Sequence, residues 1–178
     1  MTTVLKNIEL EWIKQFIVSP SLEVGCGSNR LPGVDVAVDK TEPGTFGTEG
    51  SQYMHFCKAD YQAMMDDLPF GDNSFASVLS RHVIEHHPDP AAVLTEWFRV
   101  LAPGGVVAII TPDLDAYEDA ETVLALDPTH EHVFSRDQLA EIASTVGFLD
   151  ITTETVESGS TFGLRAYKPS TSTDEAQQ

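Results

Sequence analysis

The stretch Leu22-Glu23-Val24-Gly25-Cys26-Gly27 decides the fold of this chain. The run from Ser21 to Val24 is mostly apolar and predicts a buried strand, which breaks into a tight turn at two glycines around one small residue. Glycine tolerates positive φ and allows a ligand to lie against bare main chain, and N–H groups in such a turn can point at an anion. A plain structural turn fits a Gly-x-Gly equally well, so the rest of the chain has to decide between the two.

An acidic residue follows at the end of the next short apolar run. Val34 to Val38 predicts a second strand, and Asp39 closes it. An acid at this position suits the two hydroxyls of a ribose in nucleotide-binding α/β folds. The third glycine of the dinucleotide fingerprint is absent, and no full helix fits between Gly27 and Val34. These two features argue against an ordinary nicotinamide-binding unit.

Length and charge limit the classes of partner. With 178 residues we expect one domain over residues 1–168 and a polar, disordered tail over 169–178. Acidic residues outnumber basic ones 28 to 10, giving a formal charge of −18, which disfavours nucleic acid and anionic membranes as partners. The sequence shows no signal peptide and no apolar run of membrane-spanning length, so a cytoplasmic location is expected. Cys26 and Cys57 have no metal-ligand spacing and are expected to be reduced thiols.

Strands alternate with helices along most of the remaining chain. Helical spacing predicts an amphipathic helix over Thr3–Ile17, and a capping box predicts another helix from Ser135. The expected later strands are Tyr53–Ala59, Phe75–Ser80, Val106–Ile110 and a final antiparallel hairpin of Phe148–Val156 with Thr161–Tyr167. This alternation predicts an α/β fold with a largely parallel sheet and helices on both faces.

Two further segments carry open alternatives. Asp60 follows the third predicted strand, where ligands bind in open α/β sheets, but it equally suits the N-cap of a short helix over Tyr61–Met65. The acidic segment Thr111–Thr129, with a short helix expected around Ala116–Leu126, follows the fifth predicted strand and is a candidate substrate lid.

The order of these signals, over about residues 20 to 150, resembles a class I S-adenosylmethionine-dependent methyltransferase, and is most similar to the compact branch called methyltransferase type 11. The motifs that carry the resemblance are Leu22-Glu23-Val24-Gly25-Cys26-Gly27, Val38-Asp39, Asp60, Leu68-Pro69-Phe70, Asp72-Asn73-Ser74-Phe75, His82-Val83-Ile84-Glu85-His86, Glu96-Trp97-Phe98-Arg99-Val100-Leu101, Pro103-Gly104-Gly105 and Val146-Gly147-Phe148. The resemblance implies a Rossmann-like sheet of seven strands that ends in the antiparallel hairpin. It also implies S-adenosyl-L-methionine as cofactor.

The resemblance assigns a cofactor role to each matching position. Glu23 and the turn Gly25, Cys26, Gly27 would hold the amino-acid end of the cofactor, and Asp39 would hold its ribose. Asp60 would accept a hydrogen bond from the adenine amine, with Tyr61 beside the ring, and Arg81 and His82 would line the methyl-donor side. The chain departs from the family where the helix between the first two strands is nearly absent, which makes Asp35 a competitor of Asp39. It also has Ala76 where this branch commonly has Asp.

The histidines add two hypotheses. His82 and His130 are the candidate catalytic residues, since a histidine can take a proton from an acceptor near neutral pH. His82-Val83-Ile84-Glu85-His86 also matches the His-x-x-Glu-His pattern of some zinc peptidases, which gives a zinc hydrolase as a remote alternative; no metal ligand is assigned. The expected function is methyl transfer to a small-molecule acceptor, and the main alternative is a non-catalytic cofactor-binding or protein-interaction module of the same fold.

Overall fold

The structure, a computed structural model, describes residues 2–48, 54–117, 119–127, 129–157 and 160–170. The described helices are α1 (Thr2–Lys14), α2 (Pro90–Val100), α3 (Ala120–Leu126) and α4 (Arg136–Val146), with 3-10 turns at Ile84–His86 and Leu114–Ala116. The described strands are β1 (Ser21–Val24), β2 (Val36–Asp39), β3 (Phe46–Thr48), β4 (Met54–Phe56), β5 (Tyr61–Gln62), β6 (Phe75–Arg81), β7 (Leu101–Pro112), β8 (Leu149–Glu157) and β9 (Thr161–Tyr167). The tail predicted over 169–178 lies outside the described residues from residue 171 onward.

Seven strands form one sheet in the order β5-β2-β1-β6-β7-β9-β8. Strands β5, β2, β1, β6 and β7 run parallel, whereas β9 pairs antiparallel with both β7 and β8. Leu22 in β1 pairs with Val36 on one side and Val78 on the other, which fixes the central register. The predicted mostly parallel sheet with a closing antiparallel hairpin is therefore confirmed.

Both faces of the sheet are covered. Val107 and Ile109 of β7 pack into a cluster with α2 and α4, while Ala108 and Ile110 pack into a second cluster with α1. Successive residues of a strand point to opposite faces, so an unbroken apolar run is what a sheet covered on both sides requires. Among the described helices, none is long and apolar enough to span a lipid bilayer.

The third predicted strand is the main error in the secondary structure. Of the segment 53–59, residues Met54–Phe56 form β4, which pairs with β3 in a separate two-stranded ribbon. The strand that joins the sheet beside β2 is Tyr61–Gln62, in place of the short helix considered there. It is only two residues long and lies at the sheet edge, where the apolar run that marks a buried strand is not required.

Helix α1 covers the sheet face above the loop that follows β1, where the sequence predicted that no full helix would fit. No helix forms between Gly25 and Asp35, and Leu31 and Val34 of this loop pack with Trp12 and Ile13 of α1. A Cβ on Gly163 of β9 would lie 2.4 Å from the Trp12 ring, so the indole rests directly on the backbone. The indole N–H also donates to Glu154 at 2.7 Å.

The Leu68-Pro69-Phe70 motif is held by a partly buried carboxylate. Glu96 of α2 accepts the N–H of Leu68 at 2.8 Å and two N–H groups of Arg99 at 2.7 and 2.6 Å. Arg99 in turn donates to the carbonyl of Phe70 and to Asp72. These bonds tie α2 to the turn that leads into β6. The hydrogen bond and charge of Arg99 lower the pKa of Glu96 despite its partial burial.

We expect Glu96→Gln to lower the free energy of unfolding by about 2 kcal/mol at pH 7, the scale of hydrogen bonds to a charged group. Because the folded-state pKa of Glu96 is depressed, its contribution is present above the ordinary value of 4.5 and is lost as pH falls through the folded pKa. The difference between wild type and variant should therefore narrow as urea titrations move from pH 7 toward pH 3. The exposed Glu141→Gln on α4 is the matched control and should change little at any pH. A constant difference across this range would contradict the assignment.

Candidate functional site

A cavity of about 590 Å³ opens at the carboxyl ends of β1, β2 and β6. Its volume lies within the roughly 300–1,000 Å³ typical of small-molecule sites, and its position is where open α/β sheets bind ligands. The lining residues are Glu9, Leu10, Val24, Gly25, Cys26, Gly27, Ser28, Asn29, Arg30, Pro32, Asp39, Lys40, His55, Lys58, Ala63, Met64, Met65, Arg81, His82, Val83 and His86.

The diglycine turn forms one wall of this cavity. Gly25 and Gly27 both have positive φ, at 73° and 48°. The N–H groups of Gly25 and Cys26 donate to the carbonyl of Val38 at 2.9 and 3.2 Å, and that of Gly27 donates to Asp39 at 3.0 Å. These three donors are therefore bound to the end of β2, which fits the plain structural turn rather than the anion-binding turn that the sequence left open. Burial and the charges of Glu23 and Asp39 raise the pKa of Cys26 far above its usual range, so this thiol stays protonated.

Asp39 and Asp35 lie at opposite ends of β2. Asp39 is 6% exposed and lines the cavity, where its carboxylate also accepts the N–H of Thr41 at 2.8 Å. Asp35 instead accepts the N–H and the hydroxyl of Ser21, both at 2.9 Å, at the start of β1. The structure thus brings Asp39, and not its competitor, to the cavity.

Glu23 is buried and does not itself line the cavity. Its carboxylate accepts the N–H of Leu31 at 2.7 Å and lies 3.4 Å from Arg81. Burial raises the pKa of Glu23, opposed by the Leu31 N–H and the Arg81 charge. Arg81 lines the cavity and also donates to the carbonyl of Asn29, but its buried Nε has no hydrogen-bond partner among the described residues. Arg81 therefore lies at the cavity wall with its guanidinium shared between Glu23 and Asn29.

Asp60 and Tyr61 are not among the lining residues, in contrast to what the resemblance implied. Asp60 precedes β5, and its carboxylate accepts the N–H of Ala37 at 2.9 Å and pairs with Arg30 at 2.8 Å. Tyr61 is 52% exposed and its ring contacts Phe70 edge to face. Because β5 begins after Asp60, the residues at its carboxyl end are three later ones that the sequence analysis missed: Ala63, Met64 and Met65.

His82 is held between two carboxylates and is therefore a poor base. Its Nε2 lies 3.0 Å from Glu9 of α1 and its Nδ1 lies 3.5 Å from Glu85. Although burial disfavours the charged ring, these contacts raise the pKa of His82 to about 10. The residue also has a φ of 54°, an uncommon backbone conformation outside glycine. A protonated His82 fixes α1 to the end of β6, and it is not a proton acceptor near neutral pH.

His130 has the opposite electrostatic character. Burial lowers its pKa, so the ring is neutral near pH 7. Its ring centroid lies 4.8 Å from that of His86, which lines the cavity, although His130 itself is not a lining residue. The structure therefore separates the two candidate catalytic histidines into a charged one at the cavity and a neutral one behind its wall.

The His-x-x-Glu-His pattern does not form the metal pair of a zinc peptidase. Residues Ile84–His86 are a single 3-10 turn, and His82 is bound to Glu9 and Glu85. A helix carrying His82 and His86 on one face would be needed to bring both to one ion. The zinc-hydrolase alternative, which needed His82 as a ligand, thus loses its geometric support.

The segments that border the cavity also differ from expectation. No described residue of 111–129 lines it, whereas Glu9 and Leu10 of α1 do. The N-terminal helix, and not the candidate lid after β7, therefore borders this cavity.

Basic side chains are concentrated at the cavity: Arg30, Lys40, Lys58 and Arg81 line it in a chain with only ten Lys and Arg residues.

Comparisons with known proteins bear on the family of this chain. The model of a family described as a methyltransferase domain matches residues 22–109. A probable S-adenosylmethionine-dependent methyltransferase of Mycolicibacterium smegmatis is 30% identical over 133 residues, which is 71% of this chain and 51% of that protein. The chain spans about half the length of this relative.

Two solved structures share the fold. A possible histamine N-methyltransferase of Thermotoga maritima superposes with a TM-score of 0.69 at 19% identity, covering 91% of this chain and 88% of that one. Phosphoethanolamine N-methyltransferase 2 of Haemonchus contortus, solved with S-adenosyl-L-methionine, gives 0.66 at 18% identity, covering 90% and 52%. With the sheet order, the diglycine turn and Asp39 in place, the chain belongs to the class I S-adenosylmethionine-dependent methyltransferase family.

Proposed function

We propose that this protein binds S-adenosyl-L-methionine in the 590 Å³ cavity and transfers its methyl group to a small-molecule acceptor. The observation that carries the proposal is the convergence of the diglycine turn, Asp39 and Arg81 at one edge of the parallel sheet. In its bound state the cofactor supplies an electrophilic methyl group on a sulfonium. Methyl transfer depends chiefly on alignment of the reacting groups, which a preformed cavity provides.

The lining residues fit the parts of this cofactor. Asp39 offers carboxylate oxygens to the ribose hydroxyls, and the bare main chain of Gly25 and Gly27 permits close approach. Arg81 brings a positive charge to the cavity wall for a carboxylate, and buried Glu23 lies next to it as the counter-charge for an ammonium. Met64 and Met65 supply an apolar wall of the kind that suits a heteroaromatic ring. Asp60 and Tyr61 are left out of this assignment, because neither lines the cavity.

The acceptor that this cavity favours is a small molecule bearing an acidic group. Lys40 and Lys58 line it, in addition to Arg30, which is paired with Asp60, whereas the chain as a whole carries a formal charge of −18. A local concentration of cations on an acidic protein attracts an anion to that place. Carboxylate or phosphate groups are the small-molecule features that such side chains bind.

Calorimetry and a transfer assay test the proposal in two steps. The protein should bind S-adenosylhomocysteine with one site per chain, and a lack of binding at millimolar ligand would contradict the cofactor assignment. With tritium-labelled S-adenosylmethionine, we expect label to pass to members of a panel of hydroxy acids and phosphorylated alcohols. Cofactor binding without transfer to any compound would instead support the non-catalytic module.

A further inference from the structure

Three potential metal ligands meet behind the cavity wall. Each of Glu85, His86 and His130 offers a ligand atom, and these atoms lie within 4.8 Å of one another. Two ligands about 2.1 Å from a tetrahedral ion are roughly 3.4 Å apart, so side-chain movements of about an ångström would close the site. His86 lines the cavity, which places the cluster in contact with the space where an acceptor would bind.

Unused polar atoms in this cluster point to a missing ligand. Glu85 is fully buried, and beyond the ion pair with His82 at 3.5 Å, which is longer than a good hydrogen bond, its Oε1 has no hydrogen-bond partner among the described residues. The buried Nδ1 of His130 likewise has no partner within the described part of the chain. Buried polar atoms are rarely left unsatisfied. Two such atoms beside a third ligand make this cluster a candidate site for a bound ion.

The groups around the cluster orient it as metal sites require. His86 Nδ1 lies 3.1 Å from the carbonyl of Thr129, so it can donate there and leave Nε2 as the free lone pair. Oε2 of Glu85 accepts the hydroxyl of Thr111 at 3.1 Å, which leaves Oε1 as the free oxygen. Hydrogen bonds from ligands to such outer partners fix ring and carboxylate orientation in protein metal sites.

We propose that Glu85, His86 and His130 bind a divalent transition-metal ion that also takes an oxygen atom of the acceptor. Two imidazole nitrogens and one carboxylate suit Zn²⁺ or Co²⁺ rather than Mg²⁺ or Ca²⁺, which prefer oxygen ligands. Three protein ligands leave at least one position open for a substrate oxygen. The second half of this inference rests on the proposed function, whereas the metal site itself does not.

The chemical consequence is easier deprotonation of a bound hydroxyl. When an acceptor hydroxyl binds the ion, its O–H bond breaks more readily, the electron pair stays on oxygen and the proton passes to water. The resulting alkoxide or phenolate is the stronger nucleophile. In this arrangement the ion takes over the proton-removing role predicted for His130.

Co²⁺ binding to the untagged, chelator-treated protein tests the site without any cofactor. In a millimolar excess of Mg²⁺, which occupies the acidic surface, we expect about one equivalent of Co²⁺ to bind with a visible absorption band, and Zn²⁺ to displace it. His130→Asn and Glu85→Gln should each weaken binding more than tenfold. His132→Asn is the matched control, because the His132 ring contacts the Pro88 carbonyl and Phe134 instead, and it should bind as wild type.

Two results would overturn the inference, and a further measurement distinguishes its failure from failure of the proposed function. Absence of stoichiometric Co²⁺ binding, or undiminished binding by a folded His130→Asn variant, would refute the metal site. Glycolate should shift the Co²⁺ band in wild type, and an unchanged band would refute the acceptor-oxygen part. Calorimetry with S-adenosylhomocysteine on the same metal-free samples reports on the cofactor cavity independently, so the two proposals fail separately.

Discussion

Asp39→Ala is expected to weaken S-adenosylhomocysteine binding by tenfold to a hundredfold. The substitution removes the carboxylate that faces the cavity and also the acceptor of the Gly27 N–H at 3.0 Å. Hydrogen bonds to a charged group contribute about 1.5–3 kcal/mol, and each ~1.4 kcal/mol is a factor of ten in affinity. Calorimetric titration of the purified variant with S-adenosylhomocysteine gives the change directly.

Asp35→Ala is the control for this experiment. Asp35 lies just before the same strand, but its carboxylate bonds to Ser21 at the far end of β1. We expect this variant to be less stable toward urea and to bind S-adenosylhomocysteine as wild type does. Equal affinity of wild type and Asp39→Ala would mean that the ribose is not bound at the end of β2.

Gly25→Ala is expected to lower the free energy of unfolding by about 3 kcal/mol. Backbone strain of this kind costs about 1–2 kcal/mol, and overpacking in a dense region adds about 1–3 kcal/mol. The variant is also expected to abolish cofactor binding. A Cβ at this position would lie 2.3 Å from Cγ2 of Val83, and the φ of 73° is strained for any side chain. Urea unfolding monitored by circular dichroism measures the combined loss of stability from backbone strain and overpacking.

Two variants divide this effect into its causes. Gly104 has a similar φ of 78°, but a Cβ added there would meet no atom within 4 Å, so Gly104→Ala should cost only about 1 kcal/mol. The double variant Gly25→Ala with Val83→Ala removes the steric conflict and should regain part of the loss, less the cost of truncating Val83. If Gly25→Ala were no more destabilised than Gly104→Ala, the contact between the turn and Val83 would not be tight.

The sequence located the strands wherever they are buried, because burial leaves a continuous apolar signal. β1, β6 and β9 fall where that signal predicts them, and the capping box at Ser135 marks the start of α4. β8 also falls close to its predicted place in the hairpin, although most of its residues are exposed. The prediction failed at β5, which has two exposed residues at the sheet edge. Because of this error, Asp60 was predicted to follow a strand, whereas it directly precedes β5. The predicted contact of Asp60 with adenine depended on that placement.

The histidines show that a sequence pattern does not predict the charge state or the spatial neighbours of a side chain. Their spacing suggested a helical metal pair and two bases, but charge state depends on neighbours that are distant in sequence. Glu9 comes from α1, 73 residues before His82, and keeps it protonated. His130 comes from beyond α3 and joins Glu85 and His86 only in the folded chain.

By itself, the order of apolar runs, glycines and acids determined the sheet, its parallel direction and the edge at which the cavity opens, because these follow from short-range patterns of burial and turn geometry. Only the tertiary structure decided that α1 borders the cavity, that Met64 and Met65 replace Asp60 there, and which histidine is charged. Those outcomes depend on contacts between distant segments and on the burial that they create, and no local pattern of residues encodes either.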